Sequence, residues 1–234
     1  MKSFFKIIKR IFLFVLLMLI VLAIVLFSYH EPLPKATSGS EADALAEKML
    51  EAVKHDAYKA TNYIEWTFKD MHHYKWVKNS GKVEVYWDDH VVSLDLNDHS
   101  KSEAFTDETK VIGNMKTELT DKALAYFNND SFWLVAPHKV FDTGTKRGIV
   151  TLEDGSKGLL VTYTSGGTTP GDSYLWILNE NGLPKSYKMW VKIIPVGGLE
   201  ATWEGWKQTR SGTLLPTKHK ILFLNLDMGE VMGM

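Results

Sequence analysis

The chain has 234 residues, and its 27 Lys and Arg against 28 Asp and Glu give a formal net charge of -1. That balance excludes the basic footprint of a nucleic-acid-binding protein, and the absence of cysteine excludes a disulfide framework and a lipid-modified amino-terminal cysteine. Eight tryptophans and 45% apolar residues are enough for a sizeable core, so disorder is confined to a short linker.

The opening carries Lys2, Lys6, Lys9 and Arg10, followed by an uncharged apolar run over residues 11–28. A basic flank before such a run predicts a membrane-spanning helix, with residues 1–10 in the cytoplasm and the remainder beyond the membrane. No A-x-A cleavage site follows, which favours a retained signal anchor over a cleaved signal peptide. The expected location is therefore the inner membrane, single-pass, with a soluble domain over residues 41–234 in the periplasm and a Pro-containing linker over residues 29–40.

Ala44, Leu45, Lys48, Met49, Ala52 and Val53 recur at helical spacing after Ser40 and Asp43, predicting a helix that ends near residues 55–58. From Tyr63 the period becomes two. Residues 63–68, 73–78, 82–87 and 91–96 read as strands of an antiparallel meander, with Asn79, Ser80 and Gly81 forming one turn. A helical section is expected over residues 106–128, stopping at Asn128, Asn129 and Asp130. Residues 132–137 then read as an apolar plug ended by Pro137. Strands return at residues 148–152, 157–164, 174–178, 186–194, 199–209 and 214–222. The sum is a mainly β fold with inserted helices, in which eight to ten antiparallel strands are expected to curl into an incomplete β-barrel covered by helices.

This order of elements resembles the periplasmic lipoprotein-carrier and lipoprotein-receptor superfamily, often called LolA-like, over residues 41–224, including the string SFWLVAP at residues 131–137. ADALAEKMLEAV at 42–53, HHYKW at 72–76 and ATWEGW at 201–206 are similar to uncharacterised exported proteins of the Bacteroidota type. The resemblance implies a concave sheet face that binds lipid. It carries over to Trp66, Phe68, Trp76, Tyr86, Trp133, Tyr174, Trp176, Trp190, Trp203 and Trp206.

Three other groups of residues bear on function. His72, His73, Asp88, Asp89 and His90 are suitable zinc ligands by type, but neighbouring strand residues face opposite ways, so polar strand ends are the plainer reading. Gly166, Gly167, Thr168 and Asp172 belong to a Gly- and Pro-containing loop that either contacts a ligand at the rim or simply connects two strands. No nucleophile elbow, H-E-x-x-H, phosphate loop or dinucleotide fingerprint is present, so neither a catalytic residue nor a cofactor is assigned. The expected function is non-catalytic binding of a hydrophobic or lipid-like small molecule. The alternatives are an envelope protein-interaction domain with a filled core, and a metal-dependent or serine hydrolase.

Overall fold

A computed structural model describes residues 2–166 and 169–234. The apolar opening forms α1 (Lys2–Ser28). Among the described residues, no helix is long and apolar enough to cross a membrane. This overturns the expected signal anchor, membrane attachment through the amino-terminal helix, and the single-pass inner-membrane location with a periplasmic domain. Lys6, Lys9 and Arg10 charge the early turns of α1.

The expected curved sheet and incomplete barrel do not form either. The strands divide into two flat seven-stranded antiparallel sheets, neither curled nor closed. The first contains β1 (Tyr63–Phe68), β2 (His72–Val77), β3 (Lys82–Trp87), β4 (His90–Asp95), β5 (Glu103–Thr106) and β6 (Thr109–Val111) in sequence order, with β16 (Met232–Gly233) beside β1. The second runs from β7 (Thr145–Thr151) through β8 (Lys157–Tyr163), β9 (Ser173–Leu178), β10 (Pro184–Trp190) and β11 (Leu199–Thr202) to β14 (Lys218–Ile221) and β15 (Leu224–Asp227). A separate short pair is formed by β12 (Lys207–Gln208) and β13 (Leu214–Leu215). The division has a physical cause: α4 (Gly113–Val135) separates β6 from β7, and each run of hairpins packs on a core of its own.

In the first core, Trp66, Tyr74, Val85 and Leu94 from the sheet meet Leu119, Ala123 and Phe127 of α4. In the second, Leu159, Trp176, Tyr187 and Ala201 meet Ala42, Ala46 and Met49 of α2 (Ser40–Ala52). Ala42, Ala46, Met49 and Val53 are the buried stripe of α2, spaced as one face of a helix requires. Asp43 fixes that helix laterally, accepting from Arg147 Nε of β7 at 2.6 Å. Near its carboxyl end α4 reaches the second core through Phe132 and Trp133, and Trp133 packs against both cores. The residues expected to form a separate plug are therefore the last turn of α4 and the 3-10 turn Ala136–Lys139.

The linker is a strap across the outer face of the second sheet. Glu31 binds Lys188 Nζ at 2.7 Å, and its carbonyl accepts from Trp190 Nε1 at 2.8 Å. Six residues on, Thr37 exchanges backbone hydrogen bonds with Ile149. Register aligns Gly148, Leu160, Leu175 and Lys188 in one row across four strands. With Glu31 over Lys188 and Ala36 against Gly148, residues 32–35 cross above Leu175 and Leu160. Three strand spacings are about 14 Å, a distance that five extended residues cover. This explains why β8 and β9 are buried on both faces instead of alternating.

Candidate functional site

The chain reverses between α2 and α3 (His55–Ala60), with Val53 extending the first helix and Lys54 in the left-handed region at φ 60°. The Val53 carbonyl accepts from Leu214 N at 3.2 Å, which fastens this elbow to β13. Between the end of α2, α3 and the turn at Gly212 lies an open surface depression of about 590 Å³. Leu50 and Ala57 give it apolar wall, while Glu47, Glu51, Lys54, Asp56 and Lys59 give it a charged rim. Asp56 and Lys59 neutralise one another at 2.7 Å. Glu47 and Glu51, one helical turn apart, have no ion pair among the described residues.

His55 lines the depression and connects it to an aromatic stack behind. Its Nδ1 lies 3.4 Å from Nδ1 of His138, and Tyr58 stacks on His138 with ring centroids 4.1 Å apart. Lys78 Nζ sits 3.6 Å from the centroid of the Tyr58 ring and donates to the Tyr58 carbonyl. Burial, and then the neighbouring His55, lowers His138 to about 3. Burial and Lys59 lower His55 as well. Lys78 falls to about 8, through burial and the nearby Lys139. At neutral pH the two imidazoles therefore share one proton between their facing nitrogens.

The aromatic residues expected to line a single concave face are dispersed. Trp66 and Phe68 are inside the first core and Trp76 packs at its edge, whereas Tyr86 lies on the outer face, bonded to Glu84 at 2.6 Å. Tyr174, Trp176 and Trp203 are inside the second core, with Trp206 stacked on Trp203. Trp190 lies beneath the strap. The indole N–H groups of Trp66, Trp76, Trp176 and Trp203 are sealed without a hydrogen-bond partner among the described residues.

In the rim loop, Gly166 has φ 77°, and buried Asp172 accepts from the Lys192 amide at 3.0 Å. Gly167 and Thr168 lie outside the described residues.

Register separates the histidines considered as metal ligands. His73 pairs with Tyr86 on the outer face of the first sheet and meets Glu65 at 3.1 Å, while His72 points into the core. Asp88 occupies a left-handed turn position, and His90 is held by Thr106 at 2.9 Å and Asp89 at 3.4 Å. No group of three or more His, Cys, Asp or Glu able to hold a metal ion occurs among the described residues.

His72 has a partner that sequence reasoning missed. Its Nδ1 lies 2.7 Å from Oδ2 of Asp130, an oxygen that also accepts from Tyr74 OH at 2.5 Å. Asn129 Nδ2 donates to the other carboxylate oxygen at 2.8 Å. Asp130 reads as a helix stop, and only its position two turns after Lys122 and one after Tyr126 hints at a common helix face. No family model matches the sequence, and no curated protein matches it.

Proposed function

We propose that the chain is a binding protein for an amphipathic small molecule, received without chemical change in the depression at the α2–α3 elbow. The observation that carries this reading is the open 590 Å³ depression walled by Leu50 and Ala57 and edged by Glu47 and Glu51, which have no ion pair among the described residues. An apolar body on the wall contributes roughly 0.8 kcal/mol for each methylene removed from water. A cationic head beside Glu47 and Glu51 supplies orientation and discrimination.

Titration calorimetry with dodecyltrimethylammonium, kept below its micelle concentration, tests this. Saturable binding is expected, with a negative heat-capacity change that marks apolar burial and weaker binding of dodecyl sulfate. Ala57→Trp fills the depression and abolishes the signal. Glu47→Gln with Glu51→Gln weakens binding about tenfold, the equivalent of ~1.4 kcal/mol. Indifference to the cationic probe, or equal binding by Ala57→Trp, overturns the proposal.

A further inference from the structure

The two imidazoles behind the α2–α3 elbow meet end to end. Nδ1 of His55 lies 3.4 Å from Nδ1 of His138 while the ring centroids are 5.5 Å apart, an excess close to two ring radii, and the planes differ by 24°. The in-plane lone pairs at these nitrogens therefore point along one line. Tyr58 fixes the inner ring, stacking on His138 at 4.1 Å with planes 6° apart. His138 is 4% exposed, whereas His55, the first residue of α3, is half-buried and lines the open depression. An ion entering from the depression thus reaches one ligand at the surface and the other directly behind it.

Both rings are neutral at pH 7, so both can lend a lone pair. His138 Nε2 makes no full hydrogen bond among the described residues, but the Leu214 carbonyl favours a proton on this ring. With Nδ1 turned to His55, that proton falls on Nε2 and the Nδ1 lone pair faces the gap. His55 then carries the proton of the Nδ1–Nδ1 contact, and its half-buried ring can pass it to Nε2 through water. No third donor joins the pair, since no group of three or more His, Cys, Asp or Glu able to hold a metal ion occurs among the described residues. Zinc, which takes four ligands in a tetrahedron, is poorly served by two imidazoles in line. The surrounding charge points the same way. Lys59 and Lys78 lie close enough to lower His55, and Asp56 and Asp142 close enough to raise it, which leaves no surplus of negative charge for a divalent ion.

We propose that His55 and His138 form a two-coordinate site for a soft monovalent metal ion, copper(I), bound in line between their Nδ1 atoms. A closed-shell ion of single charge accepts two ligands in a line, and imidazole is among the ordinary ligands of copper. Two metal–nitrogen bonds of ~2.0 Å need a gap of about 4 Å, roughly half an ångström more than the facing nitrogens now leave. A small rotation of the half-buried His55 ring supplies it. Each Nδ1 donates its lone pair to the ion, and the proton displaced from His55 Nδ1 is taken up at His55 Nε2. Binding therefore releases no net proton and changes no oxidation state. Leu50, Ala57, Glu47 and Glu51 take no part, so the site does not depend on what occupies the depression.

The test titrates the full chain with copper(I), supplied under nitrogen as its acetonitrile complex in competition with bicinchoninate, and with silver(I) followed by native mass spectrometry. One ion per chain is expected, with a copper K-edge spectrum of two imidazole nitrogens in linear coordination, and zinc(II) bound about tenfold more weakly or worse. His55→Ala weakens copper(I) binding about a hundredfold with little change in melting temperature, and His138→Phe does the same. Outer-face His73→Ala has no effect. If His138→Phe fails to fold, His55→Ala and the K-edge spectrum decide the matter. No competition with bicinchoninate, sulfur ligation by methionine in the spectrum, equal affinity for zinc(II), or unchanged copper(I) binding in His55→Ala overturns the proposal.

Discussion

Nδ1 of His55 and Nδ1 of His138 face one another at 3.4 Å, on rings tilted by only 24°. Two imidazolium ions would place two N–H donors head to head, so the pair is compatible with the folded state only while at least one ring is neutral. His138 titrates at about 3 in the folded protein, because burial resists its charge, against 6.5 in an unfolded chain. Below pH 6.5 the unfolded chain takes up a proton that the folded one refuses. Stability therefore falls as pH drops from 6.5 toward 3, by on the order of 5 kcal/mol in full. Urea denaturation at pH 7 and pH 5 is expected to show this loss, and His138→Phe, which keeps an aromatic ring against Tyr58, to reduce it by about 2 kcal/mol at pH 5. An equal loss in both proteins would remove His138 as its source. His219, lowered to about 4 by burial, adds a loss of the same sign.

Gly182 closes the β9–β10 hairpin at φ 85°, and a Cβ there would stand 2.8 Å from the Lys48 carbonyl oxygen of α2. Backbone cannot yield as a flexible side chain does. Gly182→Ala is expected to cost about 2 kcal/mol from the left-handed conformation and the clash together. In a chain of this size that lowers the melting temperature by roughly 4–8 °C, measured by scanning calorimetry.

The strap predicts a local effect distinct from global stability. A Cβ on Gly148 would stand 2.7 Å from Cβ of Ala36, so Gly148→Val lifts the segment that crosses Leu160 and Leu175. Faster amide exchange at Thr37 and Ile149, and protease cleavage within residues 31–37, are expected while the core amides of β3 keep their protection. Glu31→Gln removes a half-exposed ion pair worth ~0–1 kcal/mol and has the smaller effect.

At the turn between β14 and β15, Leu222 is 65% exposed and Phe223 85%. Neither belongs to a core. Phe223→Ser is expected to leave folding stability within about 0.5 kcal/mol of the original, while shortening retention on a hydrophobic-interaction column. A larger loss of stability would show that the tip is packed.

The period-two segments were the legible part of this fold: β1 to β4 lie within a residue or so of their expected positions, because Ile64, Trp66, Phe68, Val83 and Val85 alternate with polar neighbours. Helix α4 was only half legible. Asn128, Asn129 and Asp130 have the composition of a stop, but the bonds from Asp130 to His72 and Tyr74 hold the helix through them to Val135. The β5–β6 hairpin was hidden for a related reason: Asp107 and Glu108 resemble a helix start, yet adopt φ 48° and 62° and reverse the chain without glycine. Division into two sheets depends on α4 serving two cores, which no local period encodes. Of the depression at the elbow, only the four-residue spacing of Glu47 and Glu51 along α2 is local. His138, behind it, lies 83 residues from His55 in sequence, beyond the reach of any local pattern.

The pairing of β1 with β16, Ile64 opposite Gly233, joins the first strand of the meander to the last strand of the structure. Hairpins such as β2–β3 and β7–β8 close short loops and can form early, while this edge must wait for both sheets and α4 to be in place. Met228 and Val231, on either side of the passage from β15 to β16, are sealed in the first core. Completion of that core is therefore tied to the longest loop closure in the molecule, and refolding from denaturant should end in a slow phase during which the tryptophan environment of the first sheet is still being sealed from water.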